Sequence, residues 1–258
     1  MRRAPARRSA SYARPSPGVR ARARAARLPR PAPAPVVLGV VALVVAGLLT
    51  ACSGATPDDP GAVLARAKQT LDATTTVRFA VSSAGLPNSG AVLVSGDGVA
   101  KRPASFSGQF RVATGGVAMT LKVISVDGTL YAQVPFTSTY AATKPETLGV
   151  PDPATLLDPE RGVSSLLTGA TEVRSAGKSR SGREVVEEVT ARLPGKVVRR
   201  LLAVADQSAT FETRFFVADD KELRKATFRG PFYGKDTQTT YTVVLDRYDE
   251  PATITRPG

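Results

Sequence analysis

The spacing of apolar residues is helical after residue 59 and has a period of two from about residue 77. Asp59-Pro60 is typical of a helix start, with the aspartate as cap and the proline in the first turn. The apolar positions that follow are Val63, Leu64, Ala67 and Leu71. They recur at helical spacing and predict a helix at about 60–73. Val77, Phe79 and Val81 then alternate with more polar residues, which predicts a half-buried strand.

Similar alternating runs follow and predict an antiparallel meander. They occupy residues 90–100, 103–113, 116–126 and 128–135. Asp127-Gly128 between the last two runs is a strong hairpin signal. We interpret Gly96-Asp97-Gly98 as a further turn. The side chains expected on the inward face are Phe106, Phe110, Val112, Met119, Leu121, Val123, Leu130, Ala132 and Val134.

Prolines interrupt the meander between residues 136 and 163 and exclude a long strand there. Asp158-Pro159 predicts a second helix, with Val163, Leu166 and Leu167 on its apolar face. A third helix is predicted from Pro194. Its apolar face comprises Val197, Val198, Leu201, Leu202 and Ala205. The remaining predicted strands are 171–179, 183–192, 208–218, 222–230 and 237–247. The fold expected is α+β, a single strongly curved antiparallel sheet with helices on the concave face and an apolar pocket between them.

The N-terminal residues have the pattern of a secretory signal sequence. An Arg-rich region at 1–35 contains ten arginines and no acidic residue. The apolar stretch 36–51 has sixteen uncharged residues, fewer than the ~20 that a membrane-spanning helix needs. Leu49-Thr50-Ala51-Cys52 resembles the lipobox of bacterial lipoproteins. We therefore expect a signal sequence at 1–51, a lipidated Cys52 with a tether at 52–59, and one folded domain at 60–258. The alternative is a membrane-anchor helix with an incidental cysteine.

Loss of this leader changes the charge of the chain. The 258 residues contain 35 basic and 22 acidic side chains. Ten of the basic residues lie within 1–51, so the remainder carries 35 − 10 = 25 against 22, or +3. This near balance argues against a nucleic-acid-binding protein. The chain has no histidine and a single cysteine, which excludes an internal disulfide, a thiolate metal cluster and histidine-based catalysis.

Short motifs that could carry catalysis are incomplete. Gly177-Lys178-Ser179 resembles the end of a phosphate-binding loop, but Glu172 stands where the first glycine belongs. Ser175 and Lys178 match Ser-x-x-Lys without the partner motifs of the serine acyl-transfer enzymes. The sequence therefore predicts no enzyme, no metal and no cofactor.

Other charged pairs have simpler structural explanations. Helix capping and turn formation account for the carboxylates at 158 and 160 and at 219 and 220. Arg199-Arg200 is expected on the solvated face of the third helix, with contact to anionic lipid headgroups left open.

Four segments carry a resemblance to a known family. They are "AVLARAKQTLDATTTVRF" after residue 61, "VDGTLYAQVPF" at 126–136, "DPATLLDPERGVSSLL" at 152–167 and "YTVVLDRYDEPATITRP" at 241–257. With the lipobox, their order and spacing resemble the LppX–LprA–LprF–LprG lipoproteins of mycobacteria and related actinobacteria. The resemblance implies a half-barrel sheet around a large apolar cavity. It also implies binding of acylated lipids or glycolipids, their movement between the cytoplasmic membrane and the outer envelope, and, for some members, action beside a major-facilitator-type exporter.

The resemblance implies that some of these inward-facing residues line a lipid cavity instead of filling a core. The expected wall residues are Phe79, Val81, Phe106, Phe110, Val112, Met119, Leu121, Val123, Leu130, Leu166, Val197 and Leu201. The function expected is that of a non-enzymatic lipid carrier, anchored through Cys52 on the extracytoplasmic face of the cell membrane. The alternative is a structural or exporter-accessory lipoprotein without a lipid cargo, and a lipid hydrolase comes third.

Overall fold

A computed structural model describes residues 59–145 and 151–258. The signal sequence, Cys52 and nearly all of the tether lie outside these residues, so their assignments stay predictions. Within the described part of the chain, none of the helices has the length and apolar character to cross a bilayer.

The described residues form three short-to-medium α-helices, one 3-10 helix and a large sheet. The α-helices are α1 (Pro60–Ala73), α2 (Ser164–Thr168) and α3 (Gly195–Val198), and the 3-10 helix is Pro153–Leu157. The strands are β1 (Thr76–Ala84), β2 (Ala91–Lys101), β3 (Ser105–Thr114), β4 (Val117–Val126), β5 (Thr129–Gln133), β6 (Ala141–Thr143), β7 (Thr171–Ser181), β8 (Glu184–Pro194), β9 (Thr210–Ala218), β10 (Leu223–Gly230) and β11 (Thr239–Asp246).

All eleven strands belong to one open, curved antiparallel sheet in the order β6-β5-β4-β3-β2-β1-β11-β10-β9-β8-β7. Strands β1–β6 form one meander and β7–β11 a second. The two meanders join in the middle, where β1 pairs with β11 and Phe79 lies opposite Leu245. The prediction of a single antiparallel sheet is confirmed.

Two-residue turns set the register of the first meander. Asp127 and Gly128 have φ angles of 53° and 71°, and Gly115 and Gly116 have 59° and 81°. Positive φ at both central residues matches the strand twist and favours glycine. The Asp-Gly prediction is confirmed.

The turn interpretation of Gly96-Asp97-Gly98 was wrong, because these residues lie inside β2. A Cβ atom on Gly96 would lie 2.4 Å from Phe110 Cδ1, and one on Gly98 would lie 2.9 Å from Phe106 Cζ. Gly96 is therefore needed to seat the Phe110 ring, and Gly98 to let the backbone of β3 and the Phe106 ring approach closely; neither glycine reverses the chain.

Helix α1 has the predicted start and the predicted buried face. The Asp59 carboxylate accepts a hydrogen bond from the Ala62 N–H at 2.9 Å, and the four predicted apolar residues are buried. Polar side chains fasten α1 to α2 and to the turn before it, since Ser164 Oγ donates to Asp72 at 2.5 Å and Lys68 Nζ donates to the Pro159 carbonyl oxygen at 2.8 Å. Both helices share a hydrophobic core with the sheet.

Two helix predictions need correction. The helix expected from Asp158 begins only at Ser164, because 159–161 form a turn. The long helix expected from Pro194 ends at Val198. The Gly195 N–H donates to the Ala209 carbonyl oxygen at 2.7 Å, so the intervening residues must fold back and cannot extend as a helix. The 3-10 helix and strand β6 lie in the segment that the prolines had marked as irregular.

Candidate functional site

An apolar pocket of about 350 Å³ lies between the sheet and the helical segments. One wall consists of residues from β1–β5, β10 and β11, and the other of residues from the 3-10 helix, α2 and the turn that follows α3. The most exposed lining residues are Ala91, Thr114 and Val204. Ala91 and Thr114 face each other across β2 and β3, so the pocket opens at this end of the sheet.

Three phenylalanines pack together at one side of the pocket. The ring centroids of Phe79 and Phe106 are 5.4 Å apart, those of Phe106 and Phe110 are 5.8 Å apart, and those of Phe79 and Phe110 are 6.2 Å apart. Phe79 and Phe110 line the pocket, whereas Phe106 is fully buried behind them. The cluster fills part of the space between sheet and helices and sets the width of the pocket there.

The polar groups near the opening are satisfied by one another. The Leu93 N–H donates to the Tyr233 hydroxyl at 3.0 Å, and the Tyr241 hydroxyl donates to the Leu93 carbonyl oxygen at 3.0 Å. The two tyrosine hydroxyl oxygens are 2.5 Å apart. Burial, followed by the hydrogen bond with Tyr233, raises the pKa of Tyr241 well above its usual value. Tyr241 therefore stays neutral, and this network presents little polarity to the pocket.

The 3-10 helix brings further polar residues to the wall, and these also have partners. Asp152 Oδ1 accepts hydrogen bonds from the Ala154 N–H at 2.9 Å and from Ser125 Oγ at 3.1 Å. Thr155 Oγ1 donates to the Asp152 carbonyl oxygen at 2.7 Å. Among the described residues, the one buried side-chain polar atom without a partner is Thr213 Oγ1, which is not part of the pocket wall. Within the described residues, the pocket wall therefore has no fully buried side-chain polar atom without a partner, and the pocket is suited to apolar groups.

Most of the predicted wall residues line this pocket. They are Phe79, Val81, Phe110, Val112, Leu121, Val123, Leu130, Leu166 and Leu201. Alternation along the strands explains this result, because residues two apart share one face of a sheet. Their contact with a ligand stays a prediction.

Three predicted wall residues lie elsewhere. Phe106 is 0% exposed and belongs to the core behind the wall. Val197 is buried in α3, where its side chain packs against Gly169. Met119 pairs with Val112 across β3 and β4 and is 40% exposed. Residues 114–120 are exposed on both faces of this hairpin, so Met119 lies beyond the part of the sheet that the helical segments cover.

The wall also contains residues that the sequence reasoning missed. They are Ala91, Val92, Leu93, Thr114, Pro151, Asp152, Pro153, Thr155, Leu156, Val163, Val198, Leu202, Ala203, Val204, Phe228, Tyr233 and Val243. Several belong to the apolar faces predicted for strands and helices, so their burial was foreseeable. Tyr233 and the residues of the 3-10 helix lie in irregular segments with no periodic signal.

The residues tested for catalysis have structural roles. Ser175 and Lys178 are exposed on β7, and Ser175 Oγ accepts a hydrogen bond from the Gly177 N–H at 3.2 Å. Asp158 Oδ1 accepts from the backbone N–H groups of Glu160 and Arg161, both at 2.9 Å. The hydrogen bond from the Arg161 side chain and these backbone donors lower the pKa of Asp158 to about 2. Asp158 therefore closes the turn at 159–161, as the turn-formation interpretation expects, but it does not cap α2, whose N-cap is Val163.

Another charged cluster stabilises the turn between β9 and β10. Asp220 Oδ1 accepts from the Glu222 N–H at 3.0 Å, and its other oxygen pairs with Arg224 at 2.7 Å. Arg224 also pairs with Glu184 and Glu222, so one guanidinium group binds three carboxylates. Within the described segments, no group of three or more carboxylate, histidine or cysteine side chains could hold a metal ion.

The two arginines of the predicted third helix hold loops. Arg199 Nη1 donates to the Ala205 carbonyl oxygen at 3.1 Å, and Arg200 Nη1 donates to the Glu160 carbonyl oxygen at 3.2 Å. Both side chains are nevertheless exposed. They help to place the turn after α3 over the pocket.

Comparison with known proteins adds a family and a fold. The model of the LppX_LprAFG lipoprotein family matches residues 59–254. The structure is similar to that of LprF from Mycobacterium bovis, with a TM-score of 0.63 and 14% identity over 77% of this chain and 96% of that one. It is also similar to the Mycobacterium tuberculosis lipoprotein LppX, with a TM-score of 0.54 and 14% identity over 78% of this chain and 100% of that one. Among curated proteins, none matches the sequence significantly. At 14% identity, the structural similarity shows a common fold only.

Proposed function

Because the chain belongs to the LppX_LprAFG lipoprotein family, we propose that it binds acylated lipids or glycolipids in its pocket and carries them between the cytoplasmic membrane and the outer envelope. The observation that carries the proposal is the apolar pocket, whose neighbouring polar groups already have partners. Each methylene group left in water costs about 0.8 kcal/mol. Enclosure between the concave face of the sheet and the helical segments would remove that cost during passage through an aqueous gap.

The proposal includes a lipid anchor at Cys52. A diacylglyceryl group on this cysteine would hold the protein on the extracytoplasmic face of the cell membrane, since two acyl chains anchor a protein firmly where one does so marginally. The eight residues from Cys52 to Asp59 span at most roughly 25 Å, which keeps the pocket close to the bilayer. A major-facilitator-type exporter is the protein partner that the family resemblance implies.

The small volume of the pocket also fits the alternative function, a lipoprotein without a lipid cargo. Ligand pockets commonly measure ~300–1,000 Å³, and about 350 Å³ is near the lower limit. The phenylalanine cluster occupies the neighbouring space. A structural or exporter-accessory lipoprotein with no cargo of its own would have such a partly filled interior.

We further propose that the protein is not an enzyme. Catalysis of ester hydrolysis needs a nucleophile within hydrogen-bond reach of a base. Ser175 Oγ instead accepts a hydrogen bond from a backbone N–H and lies on the exposed surface of β7. A lipid hydrolase is therefore the weakest of the three functions.

Added bulk in the pocket tests the carrier function. Val112→Trp places an indole in the wall, whereas Val185→Trp places the same group at an exposed position of β8, outside the pocket. We expect Val112→Trp to lose co-purifying acyl lipid with little change in melting temperature, and Val185→Trp to keep its lipid.

A core substitution completes the comparison. Val189 is 0% exposed and is not part of the pocket wall, so Val189→Trp should destabilise the fold by about 1–3 kcal/mol. Lipid content and melting temperature are measured on the same preparation of each variant. A Val112→Trp protein that is destabilised as strongly as Val189→Trp and still holds wild-type amounts of lipid would contradict the carrier proposal.

A further inference from the structure

Large apolar side chains are exposed around the open end of the pocket. Val117 is 66% exposed, Met119 40%, Val134 47%, Phe136 108% and Val204 39%. We call these five residues the apolar rim. Exposed apolar groups concentrated in one place mark an interaction surface more often than isolated ones do.

The strand register explains why most of the rim lies at this end of the sheet. Val117 directly follows the Gly115-Gly116 turn that joins β3 to β4, and Met119 pairs with Val112 of the pocket wall. Gln133 pairs with Lys122 at the end of β5, so the chain continues from there alongside the outer part of β4. Val204 itself lines the pocket.

The most exposed member of the rim is held outward by local structure. Phe136 has a φ angle of 67°, which is unfavourable for a bulky side chain. The turn around it is closed by the Thr137 Oγ1 hydrogen bond to the Val134 carbonyl oxygen at 2.8 Å and by the Gln133 Nε2 bond to the Thr137 carbonyl oxygen at 3.1 Å. The backbone of this turn is thus held by hydrogen bonds, and it presents the aromatic ring fully to the surroundings.

Two exposed basic residues lie on β3 and β4, the strands next to the rim. Arg111 and Lys122 are on the sheet face opposite the pocket, where Asp97 of β2 also lies, hydrogen-bonded to Gln109. Both side chains are exposed, and neither forms an ion pair with another described residue. Basic side chains beside an apolar surface are typical of contact with membranes that carry anionic headgroups.

We propose that the apolar rim docks on a bilayer surface that contains anionic lipids, so that the pocket opens towards the acyl chains. The proposal deepens the proposed function, because it identifies where a lipid would enter and leave. Phe136 and Val117 would insert at the level of the headgroups, with Arg111 and Lys122 beside them at the surface. The short tether from the predicted anchor keeps this surface within reach of the membrane.

Fluorescence can test the docking directly because the chain has no tryptophan. Full-length, lipidated Phe136→Trp protein is reconstituted in vesicles of phosphatidylcholine and phosphatidylglycerol with brominated acyl chains, which quench a nearby indole. The matched control is Val185→Trp, because Val185 is 41% exposed but lies on β8 beside the β7–β8 turn. We expect strong quenching at position 136 and little at position 185.

The outcomes separate docking from lipid carriage. Equal quenching at both positions, or none at position 136, would overturn the docking proposal. A concentration-dependent blue shift of the indole emission of the Phe136→Trp protein, without quenching, would show that a second copy covers the rim, and would also overturn it. Acyl lipid extracted from the same preparations reports carriage independently, so either proposal can fail while the other stands.

The basic residues provide a second readout. One cation beside an anionic membrane contributes about 1 kcal/mol, which is about a fivefold change in the ratio of docked to undocked protein. Arg111→Gln and Lys122→Gln should each lower that ratio about fivefold in phosphatidylglycerol-containing vesicles, with no effect in pure phosphatidylcholine. Equal losses in both kinds of vesicle would contradict an electrostatic contribution.

Discussion

Gly96→Ala is the substitution with the most clearly defined structural consequence. The new Cβ would lie 2.4 Å from Phe110 Cδ1 and 2.9 Å from Phe110 Cε1. These separations are too short for carbon atoms, so the Phe110 ring must leave its place in the pocket wall. We expect the variant to be less stable and to bind less lipid, because the displaced ring moves into the pocket.

The magnitude follows from the cost of overpacking. Extra volume in a packed site destabilises a protein by about 1–3 kcal/mol. For a domain of this size such a loss lowers the melting temperature by about 2–12 °C. In a Phe110→Ala background the clash is absent, and the remaining contact with the Gln109 carbonyl oxygen at 3.0 Å needs only a small shift. Gly96→Ala should then be neutral or should stabilise the strand by up to about 1 kcal/mol.

The assay is a double-mutant cycle measured by chemical denaturation, with bound lipid measured in parallel. Gly98→Ala is the matched control. Its Cβ would lie 2.6 Å from the Ser107 carbonyl oxygen and 2.9 Å from Gly108 Cα, so truncation of Phe106 cannot rescue it. If Gly96→Ala costs as much in the Phe110→Ala background as in the wild type, the role assigned to Gly96 is refuted.

Three further predictions concern other parts of the chain. Cys52→Ala should release the protein from membranes or leave it unprocessed, as seen by fractionation and intact mass; normal maturation with membrane retention would contradict lipidation at this residue. The wild-type protein should show no turnover of triacylglycerol or phospholipid esters above a Ser175→Ala, Lys178→Ala control, and activity that disappears in the control would indicate a hydrolase. Because Arg161 and backbone donors lower the pKa of Asp158 to about 2 from 3.8, its stabilising contribution is complete above the higher value and is lost as the pH falls to the lower one. Asp158→Asn should therefore lose less stability than the wild type over that interval in acid denaturation, and identical pH dependence in the two proteins would refute the turn-stabilising role of Asp158.

The alternation of apolar residues was sufficient to predict the sheet and much of the pocket wall. Phe79 and Val81 were assigned to the inward face from their spacing, and both line the pocket. Alternation identifies the face of a strand but not what covers it. Met119 and Val112 share a face and a register position, yet only Val112 lies beneath the helical segments. Which part of a strand is covered depends on the length of the helical segments that pack on it, and the local sequence of the strand does not indicate that length.

Other errors arose where distant contacts override local preference. The helix predicted from Pro194 had a suitable apolar face, but the bond from the Gly195 N–H to Ala209 turns the chain back after Val198. The glycines at 96 and 98 were interpreted as a turn because the groups that require glycine there belong to β3, the neighbouring strand, and are not visible in the local sequence. Tyr233 reaches the pocket from the β10–β11 connection through hydrogen bonds with Leu93 and Tyr241, and no periodic signal marks it. Family resemblance supplied the expectation of a cavity, which residue patterns alone did not distinguish from a filled core.

Mass spectrometry of an organic extract of the purified, full-length protein tests the central claim most directly. The account predicts an intact acylated lipid or glycolipid in a defined ratio to protein, reduced in Val112→Trp and retained in Val185→Trp. A wild-type protein that yields no lipid would favour the accessory function, and one that accumulates free fatty acid would favour a hydrolase. Either result would contradict lipid carriage in this pocket.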